Sequence, residues 1–274
     1  MQRLERLVEE IRSRPIQPTD EEVVNTIREY LQVCTLRFIF QSKFGGSLSF
    51  MGGTCLRICY DLKRYSEDLD FTLDQRGRTY RFGDMMRSLE REFKLLGFQA
   101  QTNVHEEKAV QKAFLRFGGI YSKFQLHGMS DQKIHVKVEV DTKPVLIRPP
   151  ERETFFVNRY GELFPILKHT LPTLFAGKIL AILSRPYARG RDYYDLIWYL
   201  SRKVSINLRY LQAGLLGKGF KKEDEVYAEL QKKVSQVKPG MILKDIGRFL
   251  EDSHEANWIS RYQEVFGQLR RKSG

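Results

Sequence analysis

The feature that most constrains this chain is a glycine turn closely followed by an Asp-x-Asp segment. Gly52, Gly53 and Thr54 lie between a short apolar run and a helical pattern, and Asp68-Leu69-Asp70 follows one helix later. Two glycines let the backbone approach a phosphate, and the helix that begins at Thr54 offers free N–H groups to the same anion. The order of these elements predicts a phosphate-binding turn beside a strand.

The Asp-x-Asp segment predicts a metal site. Asp68 and Asp70 are two residues apart, so on a strand both carboxylates face the same side, while Leu69 and Phe71 face the core. Two neighbouring carboxylates repel each other unless a cation lies between them, and oxygen ligands suit Mg²⁺. An isolated Asp-x-Asp is common on surface strands, so the prediction depends on the adjacent glycine turn.

A third acid is expected on a neighbouring strand, because two metal ions need more ligands than two aspartates supply. In the run from Ile134 to Asp141, Lys137, Glu139 and Asp141 share one face. Glu139 is the predicted third metal ligand, and Asp141 is the alternative. An ordinary solvated position on the strand is the competing explanation for either residue.

A charged position in the second half of the chain stands out. Lys178 interrupts an apolar helical stretch, where a charge normally needs a partner or a function. Asp192 and Asp195 follow, and they also suit a plain helix start with an N-cap and a first-turn acid. Three arginines suited to phosphate recognition lie between Lys178 and Asp192: Arg185, Arg189 and Arg191.

The periodicities predict an α+β chain with two domains, residues 1–150 and 151–274. In the first, strands are expected near 48–51, 68–73, 98–104, 113–117, 122–126 and 133–140, with helices around them. Pro144, Pro149 and Pro150 mark the boundary, and the second domain is expected to be helical, with its first helix from Leu171. The longest apolar stretch is too short to span a bilayer, so no membrane association is expected.

The net charge and the cysteine content indicate which binding partners and which cellular compartment to expect. The 274 residues include 46 Lys plus Arg against 34 Asp plus Glu, a net charge of +12. Such a charge favours polyanions such as nucleic acid, although a basic protein kept soluble by its charge is equally compatible. The three cysteines form no CxxC pair, and the N-terminus has no secretory signal, so a cytoplasmic location is expected.

Together these motifs resemble the AbiEii family of nucleotidyltransferase-like toxins, which includes the MenT-type toxins of toxin–antitoxin and abortive-infection systems. The resemblance spans roughly residues 48–200 and rests on four motifs: Gly-Gly-Thr-x-Leu-Arg, Arg-Tyr-Ser-Glu-Asp-Leu-Asp-Phe, Ala-Gly-Lys and Arg-Asp-x-x-Asp. It implies a nucleotidyltransferase-type mixed sheet with flanking helices, followed by a helical bundle. The family's phosphate-binding turn corresponds to Gly52, Gly53 and Thr54, its metal aspartates to Asp68 and Asp70, and its essential lysine and aspartate to Lys178 and Asp192.

The resemblance implies Mg²⁺-dependent transfer of a nucleoside monophosphate from an NTP to an acceptor hydroxyl, with release of pyrophosphate. Ser66 would join the turn in binding the β- and γ-phosphates, Arg191 would add a phosphate contact, and Glu139 would complete the metal shell or accept the acceptor's proton. The implied acceptor is the 3′ end of tRNA, and a cognate antitoxin is an expected partner. Two alternatives stay open: a protein or small-molecule acceptor, and a non-catalytic nucleic-acid-binding protein on the same fold.

Overall fold

The chain divides into two compact units. The computed structural model describes residues 1–74, 80–128, 131–147, 151–215 and 219–271. The first unit comprises Met1–Asp61, Tyr65–Pro144 and Glu153–Lys168; the second comprises Leu62–Arg64, Val145–Arg152 and His169–Gly274. The β-sheet lies in the first unit, and helices build the second. Two residues used to predict the boundary, Pro149 and Pro150, lie outside the described residues.

The described strands of the first unit form one mixed, seven-stranded sheet. The strands are β1 (Leu48–Met51), β2 (Asp68–Leu73), β3 (Gln99–His105), β4 (Val110–Gly118), β5 (Ile134–Asp141), β6 (Arg152–Arg159) and β7 (Glu162–His169). Their order across the sheet is β3-β4-β5-β2-β1-β7-β6. At the centre, β2 runs antiparallel to β1 and parallel to β5, while β5 runs antiparallel to β4.

Helices cover one face of this sheet. The helices of the first unit are α1 (Gln2–Arg12), α2 (Asp20–Gln41), α3 (Gly52–Tyr60), α4 (Phe82–Leu95) and the short α5 (Ile120–Lys123). Helix α2 packs on β5, α3 on β2, and α4 on β3 and β4. Aromatic rings fill the layer between them, with Phe50 against Phe71 at 5.4 Å and Phe93 against Phe117 at 4.8 Å between centroids.

Local sequence signals explain where these elements begin and which side they bury. Helix α2 starts with a capping box, in which Thr19 accepts from the Glu22 N–H and Glu22 accepts from the Thr19 N–H. On β5 the four apolar residues are buried and the polar residues between them are half-buried. This alternation gives the sheet a core face and an open polar face.

The second unit is helical in its described part. Its helices are α6 (Leu171–Ser184), α7 (Gly190–Ser201), α8 (Leu208–Gly214), α9 (Glu223–Ser235), α10 (Pro239–Ile246), α11 (Ala256–Ile259) and α12 (Tyr262–Arg271). Helices α6 and α7 pack together, and the rings of Phe175 and Tyr199 stack at 4.5 Å. The α+β fold class is thus confirmed. In the described parts of both units, no helix is long and apolar enough to cross a membrane.

Two segments differ from the sequence-based expectation. The stretch after residue 150 begins with the β6–β7 hairpin, not with a helix. Its turn residues Tyr160 and Gly161 both have positive φ, +53° and +70°, the geometry of a tight hairpin turn. Tyrosine rarely adopts that conformation, so the sequence carries no strong signal for this turn. The strand expected at 122–126 is also wrong, because Gly119, at φ +73°, starts the short helix α5.

Candidate active site

The glycine turn lies directly against one of the predicted metal ligands. Gly52 follows the last residue of β1, starts α3 and has a φ of +81°. A Cβ at this position would lie only 2.9 Å from Asp70 Cγ and would collide with the carboxylate. The close approach and the left-handed backbone both require glycine here. The N-terminus of α3 and the Asp70 carboxylate are therefore neighbours.

Thr54 connects α3 to β2. Its side chain is fully buried, and its hydroxyl donates a hydrogen bond to the backbone carbonyl of Asp68. This bond fixes the first turn of the helix relative to the strand that carries the aspartates. Ser66, two residues before the strand, is half-buried, and its carbonyl accepts a hydrogen bond of 2.9 Å from Gln32 Nε2. The phosphate-binding role given to these residues stays a prediction.

The predicted acids meet on the open face of the sheet. Asp70 is paired directly with Glu139 across β2 and β5, and Asp68 is paired with Lys137. We call Asp68, Asp70 and Glu139 the carboxylate face. Asp141, the alternative third acid, pairs with Thr72 one row further along, and its Oδ1 accepts from the Lys143 N–H. Register thus places Glu139, not Asp141, beside the Asp-x-Asp pair.

Two lysines hold Glu139. Lys137 Nζ lies 2.9 Å from Glu139 Oε2 and 3.9 Å from Asp68 Oδ2, and Lys112 Nζ lies 3.0 Å from Glu139 Oε1. Partial burial disfavours the charged form of Glu139, but the hydrogen bonds from Lys137 and Lys112 outweigh it and lower the pKa of the carboxyl. Glu139 is therefore ionised at neutral pH. Neither lysine was predicted as a site residue, although Lys137 was expected on this face.

The donor set of the carboxylate face fits a hard divalent cation. Asp68 and Asp70 present carboxylate oxygens on one side of a strand, and Asp68 is 32% exposed. Within the described ranges, no group of three or more His, Cys, Asp or Glu side chains is arranged to hold a metal ion. Glu139, the predicted third metal ligand, has both carboxylate oxygens engaged by the ammonium groups of Lys112 and Lys137. The assignment of all three acids as metal ligands stays a prediction.

In the second unit, Lys178 and Asp192 belong to a single buried set of ion pairs. Lys178 Nζ on α6 lies 2.8 Å from Asp192 Oδ1 and 2.8 Å from Asp195 Oδ2, both on α7. Arg185 contacts the other oxygen of Asp192. Arg64 binds Asp195 with two parallel hydrogen bonds of 2.8 Å. We call these five residues the ion network.

Lys178 and Asp192 are both charged in the ion network. Burial disfavours the charged form of Lys178, but Asp192 and Asp195 outweigh it and raise the pKa of the ammonium. Burial likewise opposes ionisation of Asp192, yet Lys178 and Arg185 lower the pKa of its carboxyl. Three cations and two carboxylates leave one positive charge in excess. Helix α7 takes Arg189 as its N-cap, so Asp192 does not cap it.

The arginines near α7 differ in their surroundings. Arg191 is half-buried; its backbone N–H donates to Asp245 Oδ2 at 3.2 Å, and its guanidinium lies 5.5 Å from the Phe249 ring centroid. Arg189 is exposed. Phosphate binding by Arg191 stays a prediction. Arg64 belongs to the Arg-Tyr-Ser-Glu-Asp-Leu-Asp-Phe motif, but the sequence predicts no role for it, because its partner Asp195 is 131 residues away.

We compared the chain with protein families, curated sequences and solved structures. The family model described as "Nucleotidyl transferase AbiEii toxin, Type IV TA system" matches residues 36–273. Compared with curated protein sequences, the chain has no significant match. Among solved structures, it is similar to MenT4, a nucleotidyltransferase toxin from Mycobacterium tuberculosis H37Rv, with 19% identity and a TM-score of 0.55 over 97% of this chain and 89% of that one.

A second similar structure is JHP933 from Helicobacter pylori, with 13% identity and a TM-score of 0.50 over 91% of this chain and 94% of that one. At these identities the structures support the fold, while the family model covers most of the sequence. The nucleotidyltransferase-type fold and the enzyme class expected from the four motifs are confirmed. The chain belongs to the AbiEii family of nucleotidyltransferase toxins.

Proposed function

We propose that this toxin transfers a nucleoside monophosphate from an NTP to the 3′-terminal hydroxyl of tRNA, with Mg²⁺ as the metal. The observation that carries the proposal is the contact between the glycine turn and Asp70, which brings a helix N-terminus and a carboxylate pair together. A triphosphate needs both, because N–H groups bind its oxygens and a divalent cation neutralises its charge. The net charge of +12 suits an RNA acceptor.

In this proposal Asp68, Asp70 and Glu139 hold the metal, which when bound supplies charge stabilisation for the triphosphate and the attacking oxygen. The N–H groups of Gly53 and Thr54 bind the β- and γ-phosphates, and Ser66 assists them. The acceptor hydroxyl loses its proton to water, its oxygen attacks the α-phosphorus, the bond to the bridging oxygen of the β-phosphate breaks, and pyrophosphate leaves. Lys137 contacts both Glu139 and Asp68, so it releases Glu139 when that acid binds the metal.

Lys178, Asp192 and Arg191 enter the proposal through their match to the family motif. Lys178 carries a protonated ammonium held by two carboxylates, and the ion network around it has an excess positive charge. Such a fixed cation stabilises negative charge that builds on a transferring phosphoryl group. We propose that Lys178 serves this role, that Asp192 orients it, and that Arg191 contacts phosphate. A cognate antitoxin completes the proposed system.

The test is direct labelling. The purified chain is incubated with Mg²⁺, total RNA and each NTP in turn, labelled at the α-phosphate. We expect label in a band of tRNA size with one preferred NTP, removed by ribonuclease and prevented by EDTA. Label that resists ribonuclease and is removed by protease would point to a protein acceptor. No label with any NTP, from a preparation that is folded by circular dichroism, would contradict the proposed reaction.

A further inference from the structure

The open face of the sheet continues beyond the acids with a different chemistry. Lys112, Phe114 and Arg116 alternate along β4 with residues of the buried core face, and His135 lies on the same face of β5. Lys133, one residue before β5, is exposed beside them. We call these five residues the β4–β5 face. All of them belong to the first unit, so their arrangement does not depend on the second.

The β4–β5 face combines rings with cations. The rings of Phe114 and His135 meet edge to face at 5.8 Å, and the Arg116 guanidinium lies 5.9 Å from the Phe114 centroid. Phe114 is only half-buried, whereas its neighbours Ala113 and Leu115 on the other face are fully buried. A partly exposed ring beside an exposed arginine suits a ligand with flat faces and negative charge. Cross-strand packing explains the ring contact. Lys112 also pairs with Glu139, and Lys133 donates a hydrogen bond of 3.1 Å to Gln101 Oε1, but both pairs are at the surface and can exchange for phosphate.

Register connects this surface to the carboxylate face. Asp68 is paired with Lys137 on β5, and Lys137 is paired with Phe114 on β4, so the three residues form one cross-strand row. Two strand spacings separate Asp68 from Phe114, about 10 Å. An RNA chain whose 3′ end lies at Asp68 can therefore reach Phe114 with its terminal nucleotides. In the next row, Asp70, Glu139 and Lys112 are paired in the same manner.

We propose that the β4–β5 face binds the single-stranded 3′ end of the acceptor RNA, with an unpaired base stacked on Phe114 and phosphates on Arg116, Lys112 and Lys133. Bases in a duplex are already stacked, so a ring platform of this kind selects unpaired nucleotides. The cations bind the backbone irrespective of sequence. This inference rests on the proposed RNA acceptor and assigns it a location.

The test measures RNA binding without catalysis. Fluorescence anisotropy in EDTA and without NTP compares a labelled RNA hairpin that has a short single-stranded 3′ tail with the same hairpin made blunt. We expect the wild type to prefer the tailed RNA. Phe114→Ala should weaken tailed binding about tenfold, the scale of one lost stacking contact. Arg116→Gln should weaken it several-fold and reduce the salt slope by about one.

Matched controls are available in the same unit. Phe156 is 63% exposed on β6, and Arg91 is exposed on α4, the helix that covers the opposite face of the sheet. Phe156→Ala and Arg91→Gln should change binding less than about twofold. Phe114→Leu keeps apolar bulk against His135 and removes the ring, so it replaces Phe114→Ala if that variant melts early. Its expected binding loss is the same.

The outcomes separate this inference from the proposed function. Wild-type binding by Phe114→Leu and Arg116→Gln, or equal affinity for tailed and blunt RNA, would overturn the assignment even if the enzyme labels tRNA. Loss of tailed binding in both variants, together with tRNA labelling by the wild type, supports both conclusions. Loss of tailed binding in both variants, together with a wild type that labels no RNA, supports the RNA-binding surface and overturns the proposed acceptor.

Discussion

The carboxylate face and the ion network both gather acids and bases, but water reaches them to different extents. In the carboxylate face the Asp68 side chain is 32% exposed, and in the ion network the Asp195 side chain is 0% exposed. An exposed charge exchanges one partner for another at little cost, whereas a buried charge that loses its partner is strongly destabilising. Substitutions in the first should therefore affect chemistry, and substitutions in the second should affect folding.

The largest effect is expected at the carboxylate face. Asp68→Asn or Asp70→Asn should lower nucleotidyl transfer at least about 10³-fold, because each removes a negative charge from the proposed metal site. Thermal stability should change little, since the side chains keep their size and both aspartates are only half-buried. Circular dichroism melts and the labelling assay measure the two properties on the same samples.

The control for this prediction is Glu107→Gln, which removes an equal charge from an exposed position outside the strands. It should retain wild-type transfer and stability. Near-normal transfer by either aspartate variant would show that the Asp-x-Asp strand does not hold the metal.

The next effect is on folding, at Asp195. Asp195→Ala leaves Arg64 and Lys178 without the carboxylate they share, and Arg64 is only 2% exposed. The free energy of unfolding should fall by about 3–5 kcal/mol, the usual cost of breaking a buried ion pair. Both tryptophans, Trp198 and Trp258, lie in the second unit, so their fluorescence during urea unfolding measures this loss.

A double variant distinguishes a lost ion pair from lost packing. Arg64→Met combined with Asp195→Leu removes both charges and keeps apolar volume, so much of the lost stability should return. A double variant as unstable as Asp195→Ala alone would mean that shape, not charge, makes the position sensitive.

Sequence reasoning succeeded where the relevant physics is local. The alternation in β2 places Asp68 and Asp70 on one face. The glycine pair indicates a left-handed backbone conformation, which Gly52 adopts with a φ of +81°. It failed where partners are distant along the chain. Arg64 and Asp195 are 131 residues apart, and nothing in either local pattern identifies the other. Predicting that Lys112 contacts Glu139 would have required the register of β4 and β5, which composition does not determine.

Lys178 tests whether the two regions differ as sharply as their exposure suggests. Lys178→Met removes the charge and keeps the apolar stem. Each carboxylate retains an arginine, Asp192 with Arg185 and Asp195 with Arg64, so the stability loss should be about 1–3 kcal/mol, less than at Asp195. If Lys178 also acts on the triphosphate, transfer should fall by about 10²–10³-fold in the folded fraction.

Single-turnover labelling, corrected for the folded fraction, separates the two contributions. Full activity of the folded Lys178→Met protein would make the lysine purely structural. A loss of transfer with unchanged stability would instead place its charge in catalysis alone.

Acid should weaken the ion network through Asp192. Because the folded-state pKa of Asp192 lies below its ordinary value of 3.8, the ionised carboxylate stabilises the fold at higher pH. This stabilisation is lost as the pH falls through the lowered pKa. The difference in unfolding free energy between the wild type and Asp192→Asn should thus be constant near neutral pH and shrink below about pH 4. A difference that stays constant into acid would contradict the ionised state.

The smallest effect is expected at Lys112, the outer partner of Glu139. Its side chain is 45% exposed, and Glu139 keeps Lys137 at 2.9 Å when Lys112 is removed. Lys112→Met should therefore change the free energy of unfolding by less than about 1 kcal/mol, and the difference should decrease further with added salt. Lys94→Met, which breaks an exposed helical pair with Glu90, is the matched control and should behave alike.

Circular dichroism is the suitable measurement here, because Lys112 lies in the unit without tryptophan. If Lys112→Met costs more than about 2 kcal/mol while Lys94→Met does not, Glu139 is held as tightly as Asp195. An acid held in that way resists giving up its lysines to a metal ion. In that case the contrast between an exchangeable carboxylate face and a fixed ion network would fail at Glu139, and the third metal ligand would have to be sought elsewhere, first at Asp141.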